Sequence, residues 1–212
     1  NYEFLKGTEI AVSQGEKTWF ITPMRGDSTI EQFYDYYDGN SHTGFENPET
    51  SIIYFYADQK NKKLSMVIHQ NRDNSVSDGR CMYEFRNLPS GTELLVENDR
   101  GEFDLDGEKA TAIAFWEWQN DSDGAVLLLP TDMAWSSLEI QPTFVSGINE
   151  WILLNENGEI PTNPAFGPAK FDLSEPIIIS FFGRADSATV TYSDGGGPKR
   201  MIQMDVKVDE NT

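Results

Sequence analysis

Cysteine is almost missing from this chain. Cys81 stands alone, so no disulfide can form within the 212 residues. A secreted domain built this way must draw its stability from a large core, from bound metal or from assembly. Histidine is nearly as scarce, with His42 and His69 only. Two histidines without a cysteine pair argue against a catalytic zinc site, and neither H-E-x-x-H nor a G-x-S-x-G elbow occurs. Cationic side chains are few as well, 16 Lys and Arg against 35 Asp and Glu, for a formal charge of −19. Phosphate binding needs clustered Lys and Arg, so nucleic acid is excluded as a partner, and an anionic membrane surface is disfavoured on the same ground. No stretch approaches the roughly 20 apolar residues of a membrane-inserted helix. The first residue is Asn1, with no signal-type apolar run after it, as expected of a processed form or an excised fragment. Metal cations, basic partners and a salty medium remain open.

What the chain does have is core-forming material, 38% hydrophobic and 12% aromatic, which excludes global disorder. Period-two alternation recurs. In KLSMVIH, Leu64, Met66 and Ile68 oppose Ser65, Val67 and His69. SSLEIQP sets Leu138 and Ile140 against Glu139 and Gln141, and MIQMDVKVD, residues 201–209, has the same pattern. Such segments are half-buried strands. SIIYFYA (51–57), ELLVE (93–97), AVLLLP (125–130), EWILLN (150–155) and PIIISFF (176–182) are apolar on both faces, too short for buried helices and bounded by turn residues. The expectation is an all-β protein, an antiparallel β-sandwich, jelly-roll-like, of about a dozen strands in one domain over residues 1–212. One short helix is expected near residues 28–38. Ser28 and Glu31 form a capping box, Ile30, Phe33, Tyr34 and Tyr37 share a face, and Gly39 is the stop, with the helix across an end of the sandwich. The proline-rich stretch 158–176 reads as the longest loop.

Acidic turns are the first candidates for chemistry. Calcium takes about six to eight oxygen ligands from carboxylates and carbonyls on turning loops. ENDRGEFDLDGE (97–108) and NDSDG (120–124) offer Asp99, Glu102, Asp104, Asp106, Asp121 and Asp123, with Asp104 and Asp106 on one strand face. None of these loops fits the EF-hand pattern, and Asp, Asn and Gly are also what turns are made of. These six residues are the candidate calcium ligands.

TAIAFWEWQN supplies the second candidate. Alternation groups Trp116 and Trp118 with Ala112 and Ala114, and Glu117 with Ile113 and Phe115. On a concave surface the two indoles would stack on sugar, making them candidate ligand-binding residues. Burial preferences favour the core instead. A glycosidase would need a second carboxylate roughly 5–9 Å from Glu117 across a cleft. Both histidines read as surface or structural residues.

KLSMVIH (63–69), FRNLPSGTELLVENDRGEF (85–103), WEWQNDSDGAV (116–126), IQPTFVSGINEWILL (140–154) and FDLSEPIII (171–179), taken in order, resemble an uncharacterised β-rich domain that recurs in secreted and cell-surface, adhesin-like bacterial proteins. The resemblance spans about residues 50 to 182. It implies an extracellular, cell-surface location and a non-enzymatic role, and it carries no catalytic residue. Where those relatives tend to have cysteines ahead of the Asp-Gly, this chain has Asn120 and Asp121, so a crosslink there is absent. The resulting expectation is a non-catalytic structural subunit that associates with copies of itself or other surface proteins in a filament, sheath or surface layer, stabilised by calcium. The alternative is a monomeric calcium-dependent adhesin or lectin-like module for carbohydrate or peptide. A polysaccharide-active hydrolase ranks third.

Overall fold

A computed structural model describes residues 4–37, 39–132 and 134–182, so the strand expected at 201–209 lies outside the described residues. The chain is an all-β sandwich. Fifteen strands and one helix follow in order among the described residues: β1 Ile10–Gln14, β2 Lys17–Ile21, β3 Met24–Gly26, α1 Ile30–Tyr34, β4 Thr50–Asp58, β5 Lys63–Gln70, β6 Asp78–Arg86, β7 Glu93–Glu97, β8 Phe103–Asp106, β9 Thr111–Gln119, β10 Asp123–Leu129, β11 Trp135–Ser146, β12 Glu150–Leu153, β13 Thr162–Asn163, β14 Gly167–Pro168 and β15 Ile177–Phe181.

One sheet runs β2-β1-β15-β11-β6-β9-β8 and the other β12-β4-β5-β10-β7. From β5 to β12 every connection but β8–β9 crosses between the two, as expected of a jelly-roll-like sandwich. Pairing is antiparallel except along one side of β4. There β12 lies parallel to Thr50–Ile53 and β3 parallel to Tyr56–Asp58, so two short strands together complete that edge.

One continuous core cluster lies between the sheets and reaches from Phe4 to Phe181. The inward set of β5 is Leu64, Met66 and Ile68, facing Cys81, Tyr83 and Phe85 of β6. On the other face of the six-stranded sheet a second cluster gathers Ile52, Tyr54, Tyr56, Val67 and Val126 beneath Ile30 and Tyr34 of α1. That third layer explains the strands that are apolar on both faces: all nine residues of β4 are buried. Each fully buried Ile or Phe contributes roughly 1.5–3 kcal/mol.

The helix departs from its expected frame by one residue. Thr29, not Ser28, is the N-cap, and Gln32 closes the capping box. Thr29 N donates to Gln32 Oε1 at 3.1 Å and Gln32 N donates to Thr29 Oγ1 at 3.3 Å. The helix ends at Asp35 in the left-handed region, short of Gly39, and Tyr37 is left 72% exposed. It lies over a sheet face and not across an end of the sandwich, because Tyr54 and Tyr56 offer apolar surface for Phe33 to stack on. The proline-rich stretch 158–176 contains the β13–β14 hairpin. It caps the core, with Phe171 edge-on to Trp19 and Trp151, and Trp19 Nε1 donating to Gly167 O at 3.0 Å.

Gly124, at the head of β10, has φ +152°, and a Cβ there would fall 2.1 Å from Ile68 O. Gly124→Ala is expected to cost roughly 3 kcal/mol or more in chemical denaturation. Gly107→Ala, where a Cβ meets nothing within 4 Å, should change stability by less than about 0.5 kcal/mol.

Candidate functional site

Polar side chains concentrate where β5 ends, β10 begins and the β7–β8 turn crosses the open end of the sandwich. Alternation along β5 sends Gln70 inward after Leu64, Met66 and Ile68. On β10 the same period sends Asp123 inward ahead of Ala125, Leu127 and Leu129. Register then lines up Trp151, Ser51, Gln70 and Asp123 side by side across β12, β4, β5 and β10. Tyr83 faces this row from the other sheet. Its hydroxyl bonds Ser51 Oγ, the Gln70 amide lies close to it, and its ring meets Trp116 and Trp151 edge-on at 5.1 and 6.2 Å.

The β7–β8 turn brings Glu102 close enough to Asp123 for each carboxyl group to shift the protonation of the other. Asp123 is 3% exposed, and its Oδ1 accepts from Gly124 N at 2.7 Å. Burial, and then the neighbouring Glu102, push the Asp123 carboxyl up to about 9. Burial and the nearby Asp99 raise Glu102 to about 7. Like charges this close do not readily both ionise in a low dielectric, so the pair keeps at least one proton until the pH passes about 9. Several buried polar atoms here have no hydrogen-bond partner among the described residues. They are both amide atoms of Gln70, Glu102 Oε2 and the indole nitrogens of Trp116, Trp118 and Trp151.

The opposite face of the same strand ends holds His69, fully buried under the loop after α1. Ser41 Oγ lies 3.0 Å from its Nδ1, Tyr54 OH 2.8 Å from its Nε2, and Glu46 Oε1 3.7 Å from Nε2. Tyr34 stacks on the ring at 5.1 Å. A serine, a histidine and an acid within reach have the composition of an acyl-transfer triad. Ser41, however, is 2% exposed and shares its hydroxyl with Ser122. The grouping ties a loop to a sheet. Ser122 and Asn98 extend the tie: Ser122 N donates to Asn40 Oδ1 at 2.6 Å, and Asn98 accepts from Tyr34 OH at 2.7 Å. Burial drives the His69 pKa down to about 4, against the opposing pull of Glu46. Burial works against the Glu46 carboxylate too, but His69 and the Thr43 hydroxyl and amide outweigh it and hold its pKa low.

Of the six acidic residues expected to hold calcium, the structure brings together Glu102 and Asp123, with exposed Asp99 near enough to be felt by both. Asp104 and Asp106 do not join them. They share a strand face, as expected, but it is the outer face of β8, where Asp104 is exposed and Asp106 pairs with Lys109 Nζ at 2.6 Å. Asp121 is also exposed, contributing its backbone oxygen to Asn71 Nδ2 at 2.8 Å. Among the described residues no three His, Cys, Asp or Glu side chains form a metal-holding group. Trp116 and Trp118, expected as a sugar platform if surface-exposed, are 0% and 3% exposed and belong to the core. Alternation paired them correctly, and the packing of two sheets put their face inside. The buried partners Ser41, Gln70, Asn98 and Ser122 were not foreseen. Gln70 carried a readable signal, a polar residue at the next inward position of an apolar strand face. Ser41 and Ser122 lie in loops and carried none.

Matches were sought among protein-family models, curated proteins and solved structures, and none was found.

The two buried groups give opposite pH dependences. Unfolded His69 takes up a proton below about 6.5, whereas the folded residue refuses it until about 4, so stability falls as pH drops through that window. Loss of the depressed Glu46 acts in the same direction. Folded Asp123 and Glu102 hold protons that unfolded carboxyls release near 3.8 and 4.5. Their contribution is complete in acid and fades as pH rises toward 7 and then 9. In metal-free buffer, denaturation across pH 4–9 should show both limbs. His69→Gln should remove roughly 3 kcal/mol of acid-side loss, and Asp123→Asn should flatten the alkaline limb.

Proposed function

We propose that this is a secreted, non-catalytic cell-surface protein, a structural subunit that self-associates in a filament, sheath or surface layer with calcium as a stabiliser. The observation that carries the reading is the outer face of the seven-stranded sheet. Ile113 and Phe115 on β9 and Val145 on β11 are 51%, 45% and 63% exposed there. Phe115 lies opposite Met82 of β6, which lies opposite Thr143 of β11, two residues before Val145. Both charge signs rim it. Arg80 pairs with Glu117 at 2.9 Å, and Arg86 with Glu139 at 2.7 Å and Glu84 at 2.8 Å.

A chain of charge −19 repels its copies over most of its surface. A face that mixes the signs can set Arg80 and Arg86 of one copy against glutamates of a second in a two-fold arrangement, with apolar contact at the centre. The non-catalytic part is supported by the closed Ser41–His69–Glu46 grouping and by Glu117, which spends its carboxylate on Arg80.

A second reading has one observation in its favour. Tyr36 and Tyr37 are 44% and 72% exposed at the acidic end, and Tyr36 lies close enough to Asp99, Asp123 and Glu102 for their charges to raise its pKa, burial raising it most. Such a rim suits a monomeric calcium-dependent adhesin or lectin-like module that binds carbohydrate or peptide.

Light scattering and electron microscopy of the purified protein decide between them. The expected result is concentration-dependent assembly, abolished in the double variant Ile113→Asp, Phe115→Asp with melting temperature shifted by no more than a few degrees. A strict monomer at high concentration removes the structural-subunit reading.

A further inference from the structure

The calcium in that reading has no assigned place, and the exposed acidic turns do not supply one. We propose that a hard divalent cation, with calcium as the reference ion, binds at the inter-sheet end through the carboxyl groups of Asp123 and Glu102 and the amide oxygen of Gln70.

Three observations converge here. First, Asp123 at the head of β10 and Glu102 in the β7–β8 turn stand close enough to shift each other's protonation, with Asp123 almost completely buried. Two buried acids side by side must either keep their protons or take up a cation between them. Second, Gln70 lies directly opposite Asp123 on the neighbouring strand, inward-facing and 0% exposed, and its amide has no hydrogen-bond partner among the described residues. Side chains directly opposite on paired strands have Cβ atoms about 5 Å apart, within reach of a shared ion. Third, Glu102 Oε2 is likewise buried and unpartnered. An amide and a carboxylate oxygen left without donors beside a second carboxyl are what an oxygen-seeking cation leaves unsatisfied when it is removed.

The chemistry of the set restricts the ion. All three groups offer hard oxygen, which suits calcium or magnesium over zinc or copper. Cys81 stands near the two acids, but burial pushes its thiol well up, so it stays protonated and is no thiolate ligand. Three protein oxygens leave most of the coordination sphere to water, which the open end of the sandwich can supply. The cation would fasten the β7–β8 turn to β10 and β5, stapling the edge of one sheet to the middle of the other. That work extends the calcium part of the proposed function and is independent of assembly.

Trp116 lies beside Cys81 in register and so close to the site, which makes terbium a local probe. The full-length protein is titrated with TbCl3 under tryptophan excitation, then with CaCl2 as competitor, and melting curves are recorded with and without excess CaCl2. The expected result is sensitised emission that saturates at one equivalent, is displaced by calcium, and is lost in Asp123→Asn and in Glu102→Gln. Asp104→Asn, on the exposed face of β8, should retain it. Calcium should raise the melting temperature of the wild type by several degrees and leave that of Asp123→Asn unchanged. Absence of saturable emission from the wild type overturns the site, as does emission that survives both Asp123→Asn and Glu102→Gln. A monomer that passes this test removes self-association and leaves the site; an assembly that fails it does the reverse.

Discussion

A sheet covered on both faces has no water to receive its polar groups, and the six-stranded sheet is such a sheet. β4 is buried along its whole length, and β5 and β10 at all but one position each, so the side chains of these central strands must pack against apolar neighbours or find a partner inside the protein. Over the middle of the sheet the requirement is met by Ile, Phe, Leu, Val and Tyr. At the end, where β5 finishes in His69-Gln70 and β10 starts at Asp123, apolar packing gives way to hydrogen bonding, and the two faces solve the problem differently.

The outer face solves it by enclosure. The loop after α1 folds down over His69 and supplies Ser41, Thr43 and Glu46, while Tyr34 stacks on the ring and the Tyr54 hydroxyl bonds its Nε2. Every polar atom of that imidazole has a partner, and the neutral form is the one that fits. The inner face keeps its polar groups with fewer partners. Asp123 and Glu102 keep protons that free carboxyls would release, and the Gln70 amide on the neighbouring strand has no hydrogen-bond partner among the described residues. The same strand ends thus carry a satisfied structural network on one side and an unsatisfied oxygen set on the other. The difference between them is what directs attention to the inner one.

Charge shapes the exterior by the same logic. Thirty-five acids must lie mostly in water, and the exposed Asp99, Asp104 and Asp121 do so. The outer face of the seven-stranded sheet departs from that pattern by pairing Arg80 and Arg86 with Glu117, Glu84 and Glu139 around Ile113 and Phe115. It is a face on which two acidic molecules can meet without strong repulsion.

Periodicity carried much of this protein openly. The alternation in KLSMVIH and TAIAFWEWQN fixes which residues share a face. A single cysteine in the sequence fixes that no disulfide within these residues holds the fold. These are local properties, set by strand geometry and by composition. Which face of a strand meets water is not local. Trp116 and Trp118 became core, and Asp104 and Asp106 became surface, when two sheets closed on each other and a loop layer covered the second. The meeting of Asp123 with Glu102 and Gln70, and of Ser41 with His69, depends on connections that cross between sheets. Contacts between residues far apart in the chain are made by packing, and the pattern along any one strand does not contain them.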